Sequence, residues 1–272
     1  MQCKFLNAAG IPEMPSKWLR IYDIDPIPNY SDVTPSKVDL STEIFGERFP
    51  TPFIYQIFSI EQQKSIMDLK GLFVFSTSSL PFKDLVESAQ RQYTANGIIG
   101  IEITATDKLD LIDILVNEHK ITNLYVFVVP PANFNTLDNL AVTKQIRDIK
   151  LKFGSYPNIK VAAGYPTNYI SMSAWIDAGV DAILINNTKH DATTLLHAMS
   201  AITNKAKNIG IIYNGGSSPD IASIALGADS FIFSFLHKED VDKAISDLRN
   251  RFVECGISNF RDCFETLHLK VV

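Results

Sequence analysis

Residues 209–235 read IGIIYNGGSSPDIASIALGADSFIFSF. An apolar run, a Gly-Gly turn, a short helical pattern, Gly-Ala-Asp and a second apolar run follow one another, which is the order of a strand, a helix and a parallel strand. A glycine pair at the C-terminal end of a strand lets backbone N–H groups approach a ligand. A helix opening at Ser217-Ser218-Pro219 adds a partial positive charge at the same place. The stretch therefore carries part of a scaffold and a candidate pocket together.

The same alternation extends outward along the chain. Apolar runs of strand length fall at 52–58, 72–77, 97–104, 123–129, 158–163, 181–186, 209–213 and 229–235. Helical patterns separate or follow them at 60–69, 81–93, 108–119, 137–153, 168–178, 190–206, 218–226 and 239–255. Eight such units predict an α/β chain closed into a (β/α)8 TIM barrel. An open doubly wound sheet would leave two edges to protect and would carry a GxGxxG turn after its first strand, and that turn is absent. The fourth helical pattern has a cap at Thr136-Leu137-Asp138 and a stop at Gly154, while Gly179 and Gly227 each end a helix just before an Asp and an apolar strand. These Gly-x-Asp-apolar steps, at 179–183 and 227–232, predict a repeated half-unit. Pro26, Pro28, Pro35, Pro50 and Pro52 break helices in residues 1–51, which read as an extended N-terminal segment capping the barrel of a single domain over 1–272.

Composition limits the function. A chain of 272 residues with 46% hydrophobic and 20% charged residues buries a full core. Its net charge of −5 lacks the basic footprint of a nucleic-acid surface, so small molecules or proteins are the expected partners. Cys3, Cys255 and Cys263 have no CxxC or Cys/His metal spacing and read as structural thiols of a reducing compartment. The opening residues lack a charged region followed by a long apolar run, and no apolar stretch reaches membrane-spanning length. The expectation is a soluble, cytoplasmic protein with no membrane partner.

Several separate places resemble the IMP dehydrogenase and GMP reductase barrels. Tyr30-Ser31-Asp32-Val33-Thr34-Pro35, then Val38-Asp39-Leu40-Ser41 and Pro52-Phe53-Ile54, is similar to that family's N-terminal segment and first strand. Val161-Ala162-Ala163-Gly164 and Ala178-Gly179-Val180-Asp181-Ala182-Ile183 resemble its Ala-Gly-Asn strand and Ala-Gly-Ala-Asp turn. Asn214-Gly215-Gly216, Asp220-Ile221-Ala222 and Leu226-Gly227-Ala228-Asp229 resemble its Asp-Gly-Gly turn and following helix. Leu248-Arg249, Phe252, Cys255-Gly256 and the closing 267–272 look like its tail. The resemblance implies a purine-nucleotide pocket, a nicotinamide cofactor, NAD(P), wherever the family's oxidoreductase reaction is retained, and assembly as a homo-oligomer, a tetramer in the family.

The departures fall where that family does its chemistry. In place of the Gly-Pro-Gly-Ser phosphate turn and nucleophilic cysteine, the sixth strand ends Ile185-Asn186-Asn187 and runs into Thr188-Lys189-His190-Asp191. The Asp that holds the ribose hydroxyls is Asn214, the Gly-Gly after the eighth strand is Ser234-Phe235, and the long flap is reduced to Leu236-His237-Lys238-Glu239. Thiolate attack on the purine needs a cysteine of lowered pKa beside the base, and no cysteine falls at a predicted strand C-terminal end. Asn133, in Pro130-Pro131-Ala132-Asn133, stands where the family has an Asp-x-Ala-Asn turn.

Function in such a barrel collects at the C-terminal ends of the strands. Asn214, Gly215 and Gly216 offer an amide and backbone donors to a ligand, or make a tight turn that needs glycine for geometry alone. Ser217 and Ser218 meet a phosphate or cap a helix. Glu102 alternates with apolar neighbours and points inward, as a general acid or base or as the partner of an interior lysine. Lys189 and His190, with Asp191, supply acid–base groups or form a helix-capping loop. Asn186, Asn187 and Ser234 complete the ligand-facing set, and His237 and Lys238 meet an anion or form a short solvated loop. His119, His197 and His268 fall on predicted helices or the tail, and no group has metal-ligand spacing.

The leading expectation is a shortened, divergent relative that has lost the family reaction and binds a purine nucleotide or another phosphorylated small molecule, a pseudoenzyme. The alternatives are an enzyme of different chemistry using Glu102 and the 188–191 loop, and an assembly protein with an aromatic surface at Trp18, Tyr22 and Tyr30.

Overall fold

A computed structural model describes residues 4–6, 12–13, 24–26, 32–95, 97–131, 138–166, 169–186, 192–205, 208–214, 221–235, 237–263 and 268–271. The leading part forms short strands β1 (Lys4–Leu6), β2 (Pro12–Glu13) and β3 (Ile24–Pro26), one 3-10 turn (Pro35–Lys37), and a hairpin of β4 (Thr42–Ile44) and β5 (Glu47–Phe49). The barrel follows as β6 (Phe53–Ile57), α1 (Ile60–Ile66), β7 (Leu72–Ser76), α2 (Phe82–Thr94), β8 (Ile98–Thr104), α3 (Asp110–Asp113) and β9 (Leu124–Val129). It continues with α4 (Asp138–Phe153), β10 (Ile159–Gly164), α5 (Tyr169–Asp177), β11 (Ala182–Asn186), α6 (Ala192–Lys205), β12 (Gly210–Asn214), α7 (Ile221–Ala225), β13 (Ser230–Phe233) and α8 (Lys238–Glu254). β14 (His268–Val271) pairs parallel with β1 and antiparallel with β3 in a small side sheet.

Strands β6 to β13 are parallel and close in order, β13 pairing with β6, so the expected (β/α)8 barrel is what the chain forms. Two local expectations need correction. The pattern at 108–119 is not one α-helix: α3 gives way to a π-helical turn over Ile114–Glu118, and its apolar side, Leu111, Ile112, Leu115 and Val116, stays buried across the change. Burial of that side dictates the course of the chain, and the hydrogen-bond pattern yields to it. Pro35 does not break a helix but opens the 3-10 turn, where its missing N–H costs nothing. Among the described residues, no helix is long and apolar enough to cross a membrane.

Strand alternation sorts the core into two layers. Phe73 and Phe75 on β7, Ile99, Ile101 and Ile103 on β8, and Val126 and Val128 on β9 face the helices. Leu72, Val74, Tyr125, Phe127, Ala162, Leu184, Ile212 and Ile232 fill the interior. Small residues make room for large ones: a Cβ on Gly100 would lie 2.9 Å from Val74 Cγ2 and 3.1 Å from Phe127 Cε2. The β4–β5 hairpin closes the interior at the strand N-terminal end, pushing Ile44, Phe45 and Phe49 into the same cluster. The Phe45 ring centroid lies 4.8 Å from that of Tyr125 and 6.3 Å from that of Phe127. Phe45 and Gly46 both take positive φ (59° and 75°), the sign that matches a two-residue hairpin turn to the strand twist. Phenylalanine is a strained choice at such a position, and burial of its ring compensates.

The two Gly-x-Asp steps form matching clasps. Asp181 donates its N–H to Val161 O (2.7 Å) and accepts the Val161 N–H on its own carboxylate (2.7 Å). Asp229 repeats this with Ile211, at 2.8 and 2.7 Å. Gly179 and Gly227 take φ of +94° and +111°, conformations open to glycine, so that the chain leaves the helix and enters the clasp. Along 230–235 the letters SFIFSF alternate: Phe231 and Phe233 point outward with Phe235, and Ile232 points inward. The outward rings meet those of β6, Phe53–Phe233 at 5.7 Å, Phe53–Phe235 at 5.9 Å and Tyr55–Phe235 at 6.2 Å, lining the junction where the last strand meets the first.

Candidate functional site

At the C-terminal mouth the interior changes from apolar to polar. Period-two alternation carries Ile54 to Gln56, Val74 to Ser76, Gly100 to Glu102 and Ile212 to Asn214, so β6, β7, β8 and β12 each present one polar side chain at their ends. Ser76 and Glu102 are register partners on adjacent strands. Ser76 Oγ donates to Glu102 Oε1 at 2.7 Å, and Gln56 Nε2 donates to Glu102 Oε2 at 3.1 Å. Glu102 is 8% exposed. The alternative of an interior lysine partner is therefore corrected: the carboxyl has two neutral donors, because the neighbouring inward positions on β6 and β7 carry an amide and a hydroxyl. Burial pushes the Glu102 carboxyl above the usual carboxylate range, and the Ser76 and Gln56 hydrogen bonds only partly oppose it.

Tyr165 follows β10 and reaches over this cluster. Its φ is +64°, a conformation a bulky residue rarely takes, and Pro166 follows it. Its N–H donates to Leu184 O at 2.8 Å, which fixes the turn. The phenol stands near enough to the Asn214 side chain and to Glu102 to feel both. Burial first, and Glu102 second, push the phenol up to about 12, so it remains a neutral donor. Backbone strain of this kind persists where surrounding contacts over-determine it, and here it aims an aromatic hydroxyl at the barrel mouth.

Two further groups brace the mouth. Gln62, buried on α1, accepts the Phe58 N–H (2.8 Å) and donates to Gln56 O (2.8 Å), Phe235 O (2.8 Å) and Ser234 Oγ (3.2 Å), tying the ends of β6 and β13 together. Asp107 accepts from Thr104 N (2.8 Å) and Thr77 Oγ1 (3.0 Å), latching the loops after β8 and β7. Beside this latch a cavity of about 390 Å³ opens between Ser78, Phe82, Asp107 and Lys108. Ser78 also shares a hydrogen bond with Ser76 (2.8 Å), which joins the cavity edge to the Glu102 cluster.

Of the residues singled out in the sequence, Glu102, Asn214 and Ser234 stand at this mouth, Glu102 and Asn214 around Tyr165 and Ser234 on the Gln62 brace. Asn186 ends β11 in register with Asn214. Asn187, Lys189, His190, Gly215, Gly216 and Ser217 lie outside the described residues, as do Asn133 and Ser218. His237 is a cap: its N–H donates to Asp240 of α8 at 3.1 Å. Gln56, Ser76 and Tyr165 were missed. Alternation along 52–58 and 72–77 already marks the first two as inward and terminal, and a tyrosine wedged between Gly164 and Pro166 at a strand end was the signal for the third.

The arrangement offers a buried carboxyl that holds its proton to higher pH than usual, a neutral phenol and two amides, all converging on the end of a barrel where ligands bind. It can bind a molecule rich in donors and acceptors, and Glu102 can give or take a proton. Neither a protein-family model nor a curated protein matches the chain.

Proposed function

We propose that this chain is a divergent, shortened relative of the IMP dehydrogenase and GMP reductase barrels that binds a purine nucleotide, or a similar phosphorylated small molecule, without the family's oxidoreduction. The observation that carries the reading is the polar set Gln56, Ser76, Glu102, Tyr165 and Asn214 at the C-terminal mouth. Amides, a carboxyl and a phenol present donors and acceptors side by side, which suits the edge of a purine. The thiols support the loss of the family route. Cys255 and Cys263 are buried and free near the C-terminal end of α8, the floor end of the barrel, and burial pushes the Cys255 thiol up to about 11 and raises Cys263 as well. A thiol so placed stays protonated at neutral pH and is no nucleophile.

A thermal-shift series with IMP, XMP, GMP, GTP, nicotinamide dinucleotides and inorganic phosphate tests the proposal. A purine-nucleotide shift removed by Asn214→Ala supports it. No shift with any of these refutes the binding, and steady-state turnover of IMP or GMP with a nicotinamide cofactor refutes the loss of chemistry.

Glu102 favours a second reading, an enzyme that uses a buried carboxyl as general acid or base on such a molecule. On that reading Glu102→Gln abolishes turnover while ligand binding and the melting temperature persist.

A further inference from the structure

The two clasps described above are copies in backbone but not in charge. In the first, Lys150 of α4 crosses to Asp181, Nζ to Oδ2 at 2.5 Å, and both side chains are largely removed from solvent. The lysine stem runs over the clasp glycine: a Cβ on Gly179 would lie 3.9 Å from Lys150 Cγ. In the second clasp the residue lying over Gly227 is Met199 of α6, whose Sδ a Cβ there would strike. Methionine stands where the sister unit has its lysine. Asp229 accordingly keeps the Ile211 N–H and, among the described residues, has no cation on its carboxylate.

The space beside it is open. A cavity of about 630 Å³ lies at the strand N-terminal end, between the β4–β5 hairpin, α6, the start of β12 and residues 259–261. Asp229 and Glu43 line it, with apolar walls from Ile44, Met199, Ile202 and Phe260. Asp229 is packed deep, but the cavity leaves part of its surface open. Arg48 and Arg261 also line the cavity; Arg48 is held by Asp39 (3.0 Å) and Ser41 (2.7 Å), and among the described residues neither arginine forms an ion pair with Asp229. Buried carboxylates are stable when paired, and the sister clasp shows which kind of partner this fold supplies.

We propose that this floor cavity is a second ligand site that takes an organic ammonium ion, its charged head on Asp229 in the position Lys150 fills in the sister unit and its apolar body against Met199, Ile202 and Phe260. The site is independent of the one at the mouth. It selects a primary amine over its neutral counterpart by the carboxylate, and an organic over an inorganic cation by the apolar walls.

The test is a thermal-shift titration of the full chain with n-butylamine, putrescine and n-butanol at constant ionic strength. At concentrations ~10 times its dissociation constant an amine is expected to raise the melting temperature by about 3 °C, and butanol leaves it unchanged. Two variants are expected to lose the amine response and keep the fold. Asp229→Asn retains an oxygen for the Ile211 N–H, and Met199→Lys fills the site with the chain's own cation. Glu102→Gln keeps the full response, which separates this site from the mouth. The proposal is overturned if neither amine shifts the protein, if butanol shifts it as much, or if the response survives in Asp229→Asn.

Discussion

Replacing Asp229 by Asn is expected to make the protein more stable at alkaline pH and to leave it little changed at acid pH. Burial raises the Asp229 carboxyl from about 3.8 to about 7, against the opposing Ile211 hydrogen bond and with help from the nearby charge of Glu43. An acid whose pKa is higher folded than unfolded carries an extra proton in the native state between the two values, so stability falls as pH rises through that window, here about 4 to 7. At ~1.36 kcal/mol for each tenfold change in proton affinity, the full penalty above pH 7 has a ceiling of about 4 kcal/mol. The cavity admits solvent and Arg48 and Arg261 also line it, so about 2 kcal/mol is the working figure. Asparagine removes the charge and keeps the acceptor for Ile211. Urea unfolding of both proteins at pH 4.5 and pH 8 measures the difference. The variant should gain about 2 kcal/mol over the parent at pH 8 and lose that advantage at pH 4.5. Glu43→Gln should recover a smaller part of the same gain. A gap between parent and variant that does not change with pH would refute the reasoning.

Phe45→Ala is expected to cost about 3 to 4 kcal/mol in urea unfolding by emptying the barrel floor, and Phe45→Asn about 1 kcal/mol less, because asparagine tolerates the positive φ; equal stability of the parent and both variants would deny the hairpin its part in the core. Lys150→Met should cost about 1 to 3 kcal/mol, and adding Asp181→Asn should recover part of it, a coupling that a double-mutant cycle reads directly. Tyr165→Gly should relieve about 1 kcal/mol of backbone strain while abolishing the nucleotide thermal shift proposed above; a variant that binds as the parent does would remove Tyr165 from the site.

The barrel was legible because its signals are local and repeated. Each predicted strand falls within one or two residues of the observed one, since an apolar run flanked by helical periodicity has few other solutions, and the Gly-x-Asp steps at 179–183 and 227–232 appear as the two clasps. What was hidden depends on closure. Glu102 was readable as inward, but its partners come from positions 46 and 26 residues away and are chosen by strand register, which no local pattern encodes. Tyr165 was missed because left-handed backbone at a tyrosine contradicts propensity, and the β4–β5 turn because Phe45-Gly46 lacks the usual Asn-Gly or Asp-Gly letters. The π-helical turn at 114–118 was read as continuous helix because buried periodicity looks the same in both. The difference between Lys150 and Met199 was in plain view, yet it has meaning only once α4 and α6 are seen to occupy equivalent places over their glycines.

The junction beside β13 behaves like the buckle of a belt. Its described ladder to β12 runs through Ile212–Ser230 and Tyr213–Phe231, while the ladder between β8 and β9 extends from Ile99–Leu124 to Thr104–Val129. With fewer paired residues to unfasten, this is where the ring parts with less work, and the Asp229 clasp on Ile211 and the Tyr213–Phe231 ring contact on its outer side are what keep it shut. Amide exchange should therefore run ahead in 230–233, and a guest gripping Asn214 on one side and Ser234 on the other would slow it, so that the buckle reports occupancy of the mouth.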